Sequence, residues 1–261
     1  MKLDNSVAAI VTGGASGLGE ATARLLANSG VKVALFDMNE ARGWEIAEDI
    51  NGLFCPANVT DDASVSTALA KARRAHGVER ILVNCAGIAP GRRTVSKKRE
   101  SGEFVAHDME TFKAAIEVNL VGTYRMIAAS AVAMAQLDPV TADGGRGVIV
   151  NTASVAATDG QIGQAAYSAS KGGIVGLTLP VARDLAAYGI RVMTIMPGLF
   201  HTPMFDGLPD EARAALETSV PFPSRLGRPQ EYAKLVRAIV ENDMLNGEAI
   251  RLDGALRMGP K

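Results

Sequence analysis

Cysteine, histidine and aromatic side chains are scarce in this chain of 261 residues: two cysteines, three histidines and 5% aromatics. Cys55 and Cys85 stand in apolar surroundings with no Cys-x-x-Cys pair, so they read as reduced thiols rather than a disulfide framework. His76, His107 and His201 share no metal-ligand spacing, and no metal site is expected. Neither sign of charge dominates. With 27 basic against 28 acidic residues the formal net charge is −1, which gives no reason to expect nucleic acid or an anionic membrane as partner. Long apolar runs are missing too, since the stretch from Ala114 to Ala135 is broken by Glu117, Asn119 and Arg125. The N-terminus has no basic-then-apolar arrangement of a secretion signal. The expectation is a soluble protein of a reducing compartment: the cytoplasm, or the mitochondrial matrix if the source is eukaryotic.

Hydrophobic residues make up 48% of the chain and charged ones 21%, enough apolar mass for a sizeable core. Short β-rich runs alternate with longer amphipathic ones. The predicted strands are Val7–Thr12, Lys32–Asp37, Gly52–Ala57, Arg80–Asn84, Gly147–Thr152, Arg191–Met196 and Glu248–Leu252. They lack polar alternation, as strands covered on both faces do. The predicted helices are Leu18–Asn28, Asn39–Ile50, Ala63–Ala75, Met109–Gln136, Ala165–Ala187 and Pro229–Glu241. Such repeated βα units predict an α/β fold with a doubly wound parallel sheet of about seven strands and helices on both faces. No linker or composition shift divides it, so residues 1–261 are expected to form one domain. Two segments break the pattern. Residues 90–108 form a long basic insertion, and residues 197–228, with five prolines around a short helix at Asp210–Thr218, suggest a substrate lid.

The first strand runs into Thr12-Gly13-Gly14-Ala15-Ser16-Gly17-Leu18-Gly19, after which helix formers begin. Glycines permit a sharp turn and close approach to a pyrophosphate, and the helix N-terminus offers free N–H groups. Asp37 ends the second strand, where a carboxylate accepts hydrogen bonds from an adenosine ribose and repels a 2′-phosphate. No Arg or Lys stands at Ser16 or Met38 to offset that repulsion, so NAD is expected over NADP.

Tyr167 and Lys171 lie four apart in a predicted helix and share one face. An ammonium beside a phenol lowers its pKa from about 10 toward neutrality, which suits a general acid/base. Taken alone, the pair also suits an ordinary helix surface. Ser154 follows the strand Gly147–Thr152 and stands 13 residues before Tyr167, well placed to hold a substrate oxygen. Asn119 sits mid-helix, where it is either a satisfied core amide or a residue that bends the helix and holds a water beside Lys171.

These residues resemble the short-chain dehydrogenase/reductases over essentially the whole length. The marks are TGGASGLG at 12–19, Asp37, NCAG at 84–87, Asn119, Ser154, the Tyr167–Lys171 pentad, and Pro197-Gly198 followed by Thr202. The resemblance implies a Rossmann-type fold and a catalytic set of Asn119, Ser154, Tyr167 and Lys171. It implies that NAD is bound by Gly13, Ser16, Gly17, Leu18, Gly19, Asp37, Asn58, Val59, Asn84, Ala86, Gly87, Tyr167, Lys171, Pro197, Gly198 and Thr202. Asn58 stands where the family usually has Asp, which loosens any adenine contact there. NTASVAA (151–157), PFPSRLG (221–227) and LNGEAIRLDGALRM (245–258) are similar to a subgroup that interconverts 3-hydroxyacyl-CoA and 3-ketoacyl-CoA with short or branched chains. A homotetramer is implied as well.

Arg92, Arg93, Lys97, Lys98 and Arg99 put five cations in an eight-residue window, apt for coenzyme A phosphates but also for a solvated loop. Leu199, Phe200, Met204, Phe205 and Leu208 read as lid residues over an acyl chain or as ordinary packing. The alternatives for the same machinery are a hydroxysteroid dehydrogenase and a 3-oxoacyl-carrier-protein reductase. A non-catalytic dinucleotide sensor conflicts with retention of all four catalytic candidates.

Overall fold

The structure is a computed structural model, and it describes residues 1–202 and 210–260. Seven parallel strands make the central sheet: β1 (Ala8–Thr12), β2 (Lys32–Asp37), β3 (Leu53–Pro56), β4 (Ile81–Asn84), β7 (Gly147–Thr152), β8 (Ile190–Pro197) and β9 (Ala249–Leu252). Their order is β3-β2-β1-β4-β7-β8-β9. The chain winds outward from β1 to β3, then returns to build the other half from β4. The carboxyl ends of β1 and β4 therefore flank the point where winding reverses, the crevice in which open α/β sheets bind ligands.

Side-chain alternation along β1 divides the core. Ala9 and Val11 join Leu26, Ile46, Tyr232 and Val236 on one face. These come from α1 (Gly17–Asn28), α2 (Glu40–Asp49) and α8 (Pro229–Glu241). Ile10 points the other way, to Val65, Leu69, Met126, Met134 and Val181. Those belong to α3 (Asp62–His76), α5 (Gly122–Met134) and α6 (Ala165–Ala186). The expected covering of both sheet faces is what the structure has. Local chemistry sets the helix starts: Asp61 accepts the Ser64 N–H at 2.8 Å to cap α3. At α8, Pro229 occupies the first turn and Glu231 reaches back to the Arg228 N–H at 2.7 Å.

Two elements differ from the sequence reading. The helix expected over Met109–Gln136 is α4 (Met109–Ile116), a π turn at Glu117–Val121, and then α5. Asn119 lies in that π turn. Residues 90–108, read as a connection, contain an antiparallel hairpin of β5 (Val95–Lys97) and β6 (Phe104–Ala106). Its side chains are almost all exposed, so no buried face imprinted an alternating pattern on the sequence. The short helix expected at Asp210–Thr218 is present as α7.

Among the described residues no helix is long and apolar enough to cross a membrane. Nor does any group of three or more His, Cys, Asp or Glu come together there as a metal site.

Candidate active site

A cavity of about 500 Å³ opens at the crevice between β1 and β4. It runs from Asp37 at one end to Ser154, Tyr167 and Lys171 at the other. Every site residue expected from sequence lines it, apart from Asn84 and Asn119.

The glycine turn is tied down by its neighbours. Thr12 Oγ1 accepts the N–H groups of Cys85 and Ala86, each at 3.2 Å, which ties the end of β1 to the loop after β4. Gly13 has φ +63°, and a Cβ there would lie 2.8 Å from the Ala86 nitrogen. A Cβ on Gly19 would stand 2.1 Å from the Gly13 carbonyl oxygen, which no rearrangement of side chains relieves. The backbone thus presents the start of α1 to the cavity, and Ser16, its N-cap, makes no capping bond with its own hydroxyl.

Asp37 has a structural duty that sequence reasoning missed. One carboxylate oxygen accepts the Ala15 N–H at 3.0 Å and the other the Asn39 N–H at 2.9 Å. It therefore anchors the glycine loop, and an ionised carboxylate with about four acceptor positions keeps two for a ribose diol. Arg42, the first cation after Asp37 in the chain, is bonded to Glu20 at 3.2 Å and to Glu45 at 2.6 Å. A glycine cradle, a helix N-terminus and a carboxylate at the end of β2 fit a nicotinamide dinucleotide. Asn58 lines the cavity, but its carbonyl oxygen is already taken by the N–H and hydroxyl of Thr60 at 3.0 and 2.9 Å.

At the other end α6 carries Tyr167 and Lys171 one turn apart, with Lys171 Nζ 5.8 Å from the Tyr167 ring centre. Ser154 caps a 3₁₀ turn at Val155–Ala157 through the Ala156 N–H at 3.1 Å, which fixes its hydroxyl at the end of β7. Lys171 Nζ donates to the Thr152 carbonyl at 2.7 Å. Burial pushes the Tyr167 phenol up from its ordinary value, against a smaller downward pull from the Ser154 hydroxyl. Burial likewise brings Lys171 down to about 8. Desolvation is the largest influence on each of these two groups.

Asn84 and Asn119 act at one remove. Asn84 turns into the sheet, where its Nδ2 donates to Asn151 Oδ1 at 2.9 Å and clips β4 to β7. Expected as a cofactor contact, it does not line the cavity. The Asn119 amide is held at both ends: Oδ1 accepts the Ile88 N–H at 2.8 Å, while Nδ2 donates to Ile88 O at 2.8 Å and Ser170 Oγ at 2.9 Å. Ser170 Oγ in turn donates to the Tyr167 carbonyl at 2.7 Å. Asn119 therefore positions the loop after β4 against α6; it is not a cavity residue. Its π turn marks the place where the helix yields to make that grip.

Leu199 and Phe200 of the expected lid line the cavity, whereas Met204, Phe205 and Leu208 lie outside the described residues. Met258, the last residue of the 245–258 motif, also lines it, although sequence reasoning gave it no role in the site. Gln164 also lines a second, open groove of about 620 Å³, bounded by residues 93–95 and 160–165. The Arg92 N–H, bonded to Gly163 O at 2.8 Å, holds these two segments together, and Arg93 lines the groove.

The family model described as short chain dehydrogenase matches residues 7–213. The chain is 54% identical over 254 residues to 3-hydroxyacyl-CoA dehydrogenase type-2 of Bos taurus, covering 97% of this chain and 95% of that one. It is 53% identical to the protein of the same name from Drosophila melanogaster, covering 96% and 97%. The crystal structure of 3-hydroxyacyl-CoA dehydrogenase type-2 from Mycobacterium avium superposes with a TM-score of 0.93 at 40% identity over the full length of both chains. With a parallel sheet of the matching topology and a family match over most of its length, the chain belongs to the short-chain dehydrogenase family, oxidoreductases that generally use NAD or NADP.

Proposed function

We propose that the protein interconverts 3-hydroxyacyl-CoA and 3-ketoacyl-CoA with NAD, as one catalytic unit in a homotetramer. The observation that carries this reading is a single cavity with a carboxylate at one end and Tyr167, Ser154 and Lys171 at the other. NAD, when bound, supplies the hydride acceptor. The Tyr167 phenol exchanges the proton of the 3-hydroxyl, the Ser154 hydroxyl holds the substrate oxygen beside it, and Lys171 is the nearest cation. Residues 13, 16–19, 58–59, 86–87, 197–198 and 202 hold the dinucleotide along with Asp37. NAD over NADP follows from the Asp37 charge, with Arg42 occupied by Glu20 and Glu45 and so unable to offset it.

The groove past Gln164 supports a substrate with a long polar arm over a compact steroid. Of the five hairpin cations, Lys98 is paired with Glu103 at 2.7 Å and Lys97 lies over the Phe104 ring at 5.4 Å. Arg93 is the cation that lines the groove. The exposed Tyr124 and Val132 on α5 and Leu179 on α6 support a subunit contact, as does Gly176, where a Cβ would meet nothing within 4 Å. Cys55 and Cys85 are free thiols, in keeping with the cytoplasm or, in a eukaryote, the mitochondrial matrix.

Parallel kinetics on acetoacetyl-CoA, an acetoacetyl carrier protein and a ketosteroid, each with NADH and NADPH, test the reading. The highest kcat/KM is expected for acetoacetyl-CoA with NADH. A clear preference for either other substrate, or for NADPH, overturns it.

A further inference from the structure

After β9 the chain turns through Asp253–Leu256 and runs back across the connection between the 3₁₀ turn and α6. Two bonds seat this tail: Gln161 Nε2 donates to Gly259 O at 3.2 Å, and the Ile162 N–H to Pro260 O at 3.0 Å. Leu256 is buried beneath it. Arg251 is the rivet, and its bonds occupy all five donors of a guanidinium. Nε donates to Asp253 at 2.7 Å. Nη1 donates to Thr158 Oγ1 at 2.9 Å and Asp159 Oδ1 at 3.2 Å. Nη2 donates to Asp159 Oδ2 at 2.6 Å and to Leu256 O at 2.9 Å. The planar fork reads the carboxylate and the tail carbonyl together, which an ammonium cannot do.

Between these anchors the half-buried Met258 faces the cavity. The connection it is clipped to joins Ser154 to Tyr167, so Met258 stands on the substrate's bank and not on that of Asp37. We propose that Met258 is a specificity-determining wall of the acyl pocket, held at a set depth by the Arg251 clamp. A thioether on an unbranched stem fills an irregular apolar space, and a backbone fixed at both sides limits how much volume it can vacate to the reach of that one side chain. The size of this one side chain, together with the rigidity of its strap, then sets how long or branched an acyl group fits. The inference rests on the acyl-CoA reading given above.

The test uses the full-length protein with Met258→Ala, Met258→Phe and Arg251→Lys. The readout is the ratio of kcat/KM for a 3-ketoacyl-CoA two methylenes longer than acetoacetyl-CoA to kcat/KM for acetoacetyl-CoA itself. That ratio is expected to rise about tenfold in Met258→Ala and fall about tenfold in Met258→Phe, the scale on which pockets discriminate methylenes. Arg251→Lys should move it in the alanine direction, with NADH affinity unchanged in all three. An equal ratio in the alanine and phenylalanine variants overturns the proposal, as does a change confined to NADH affinity or melting temperature. If the wild type reduces no acyl-CoA, the acyl-CoA reading fails separately, and the ratio is then measured on the unconjugated 3-ketoesters of the same two lengths.

Discussion

Lys171 is only 5% exposed, and a side chain so enclosed resists its own charge. The fall from 10.5 to about 8 corresponds to roughly 3 kcal/mol of lost stability once the amine is fully charged. The sign follows from a base whose folded pKa is depressed: the penalty is complete below about 8 and fades as pH rises toward 10.5. Lys171→Met removes it but leaves Thr152 O without its donor, at a cost of about 1–3 kcal/mol. The variant should therefore melt no lower than the wild type at neutral pH while losing turnover. Its advantage should shrink steadily in melts taken between pH 8 and 10.5, and a variant that melts far below the wild type at neutral pH contradicts this account. Tyr167→Phe removes the proton carrier alone. Its turnover should drop by about 10²–10⁴, the range of general acid–base catalysis, with dinucleotide affinity intact by fluorescence titration.

The turn from β1 into α1 works as an element because its parts exclude any looser arrangement. A methyl group at Gly19 has nowhere to go but into the Gly13 carbonyl, so Gly19→Ala should abolish NADH binding or folding itself, distinguishable by circular dichroism. Asp37 secures the same turn through the Ala15 N–H, which gives its replacement two consequences. Asp37→Ser should raise the NADH Kd by at least about tenfold, as expected when a charged hydrogen bond worth about 1.5–3 kcal/mol is lost. Because the glycine loop is loosened at the same time, NADPH affinity should improve far less than the removal of a repelling charge alone would allow. Equal affinity for both dinucleotides with full turnover would show that the loop does not need this carboxylate.

Over the whole molecule, the hairpin and the C-terminal strap come from distant parts of the chain and meet across residues 159–164. Arg93→Gln belongs to this scale, since its effect depends on a groove made jointly by the hairpin and the approach to α6. The KM for acetoacetyl-CoA should rise severalfold in low salt, and the difference should narrow as salt screens the arginine. For a ketone without coenzyme A, KM should stay at the wild-type value. A rise for both substrates would assign Arg93 to packing.

The seven strands and the helices between them, apart from the π turn at Glu117–Val121, are legible in the sequence, because burial on both sheet faces leaves unbroken β-branched runs and helix caps are local chemistry. So are the glycine turn, Asp37 and the Tyr167–Lys171 pair, whose spacing alone puts them on one helical face. Contacts between residues far apart in the chain were decided by packing. Asn84 finds Asn151 across 67 positions, Asn119 reaches Ile88 and Ser170, and Met258 arrives at a cavity begun by Gly13. The direction of the Tyr167 and Lys171 shifts belongs with these. Spacing shows that two groups are neighbours, but how much water each retains depends on everything folded around them, and burial is the largest influence on both.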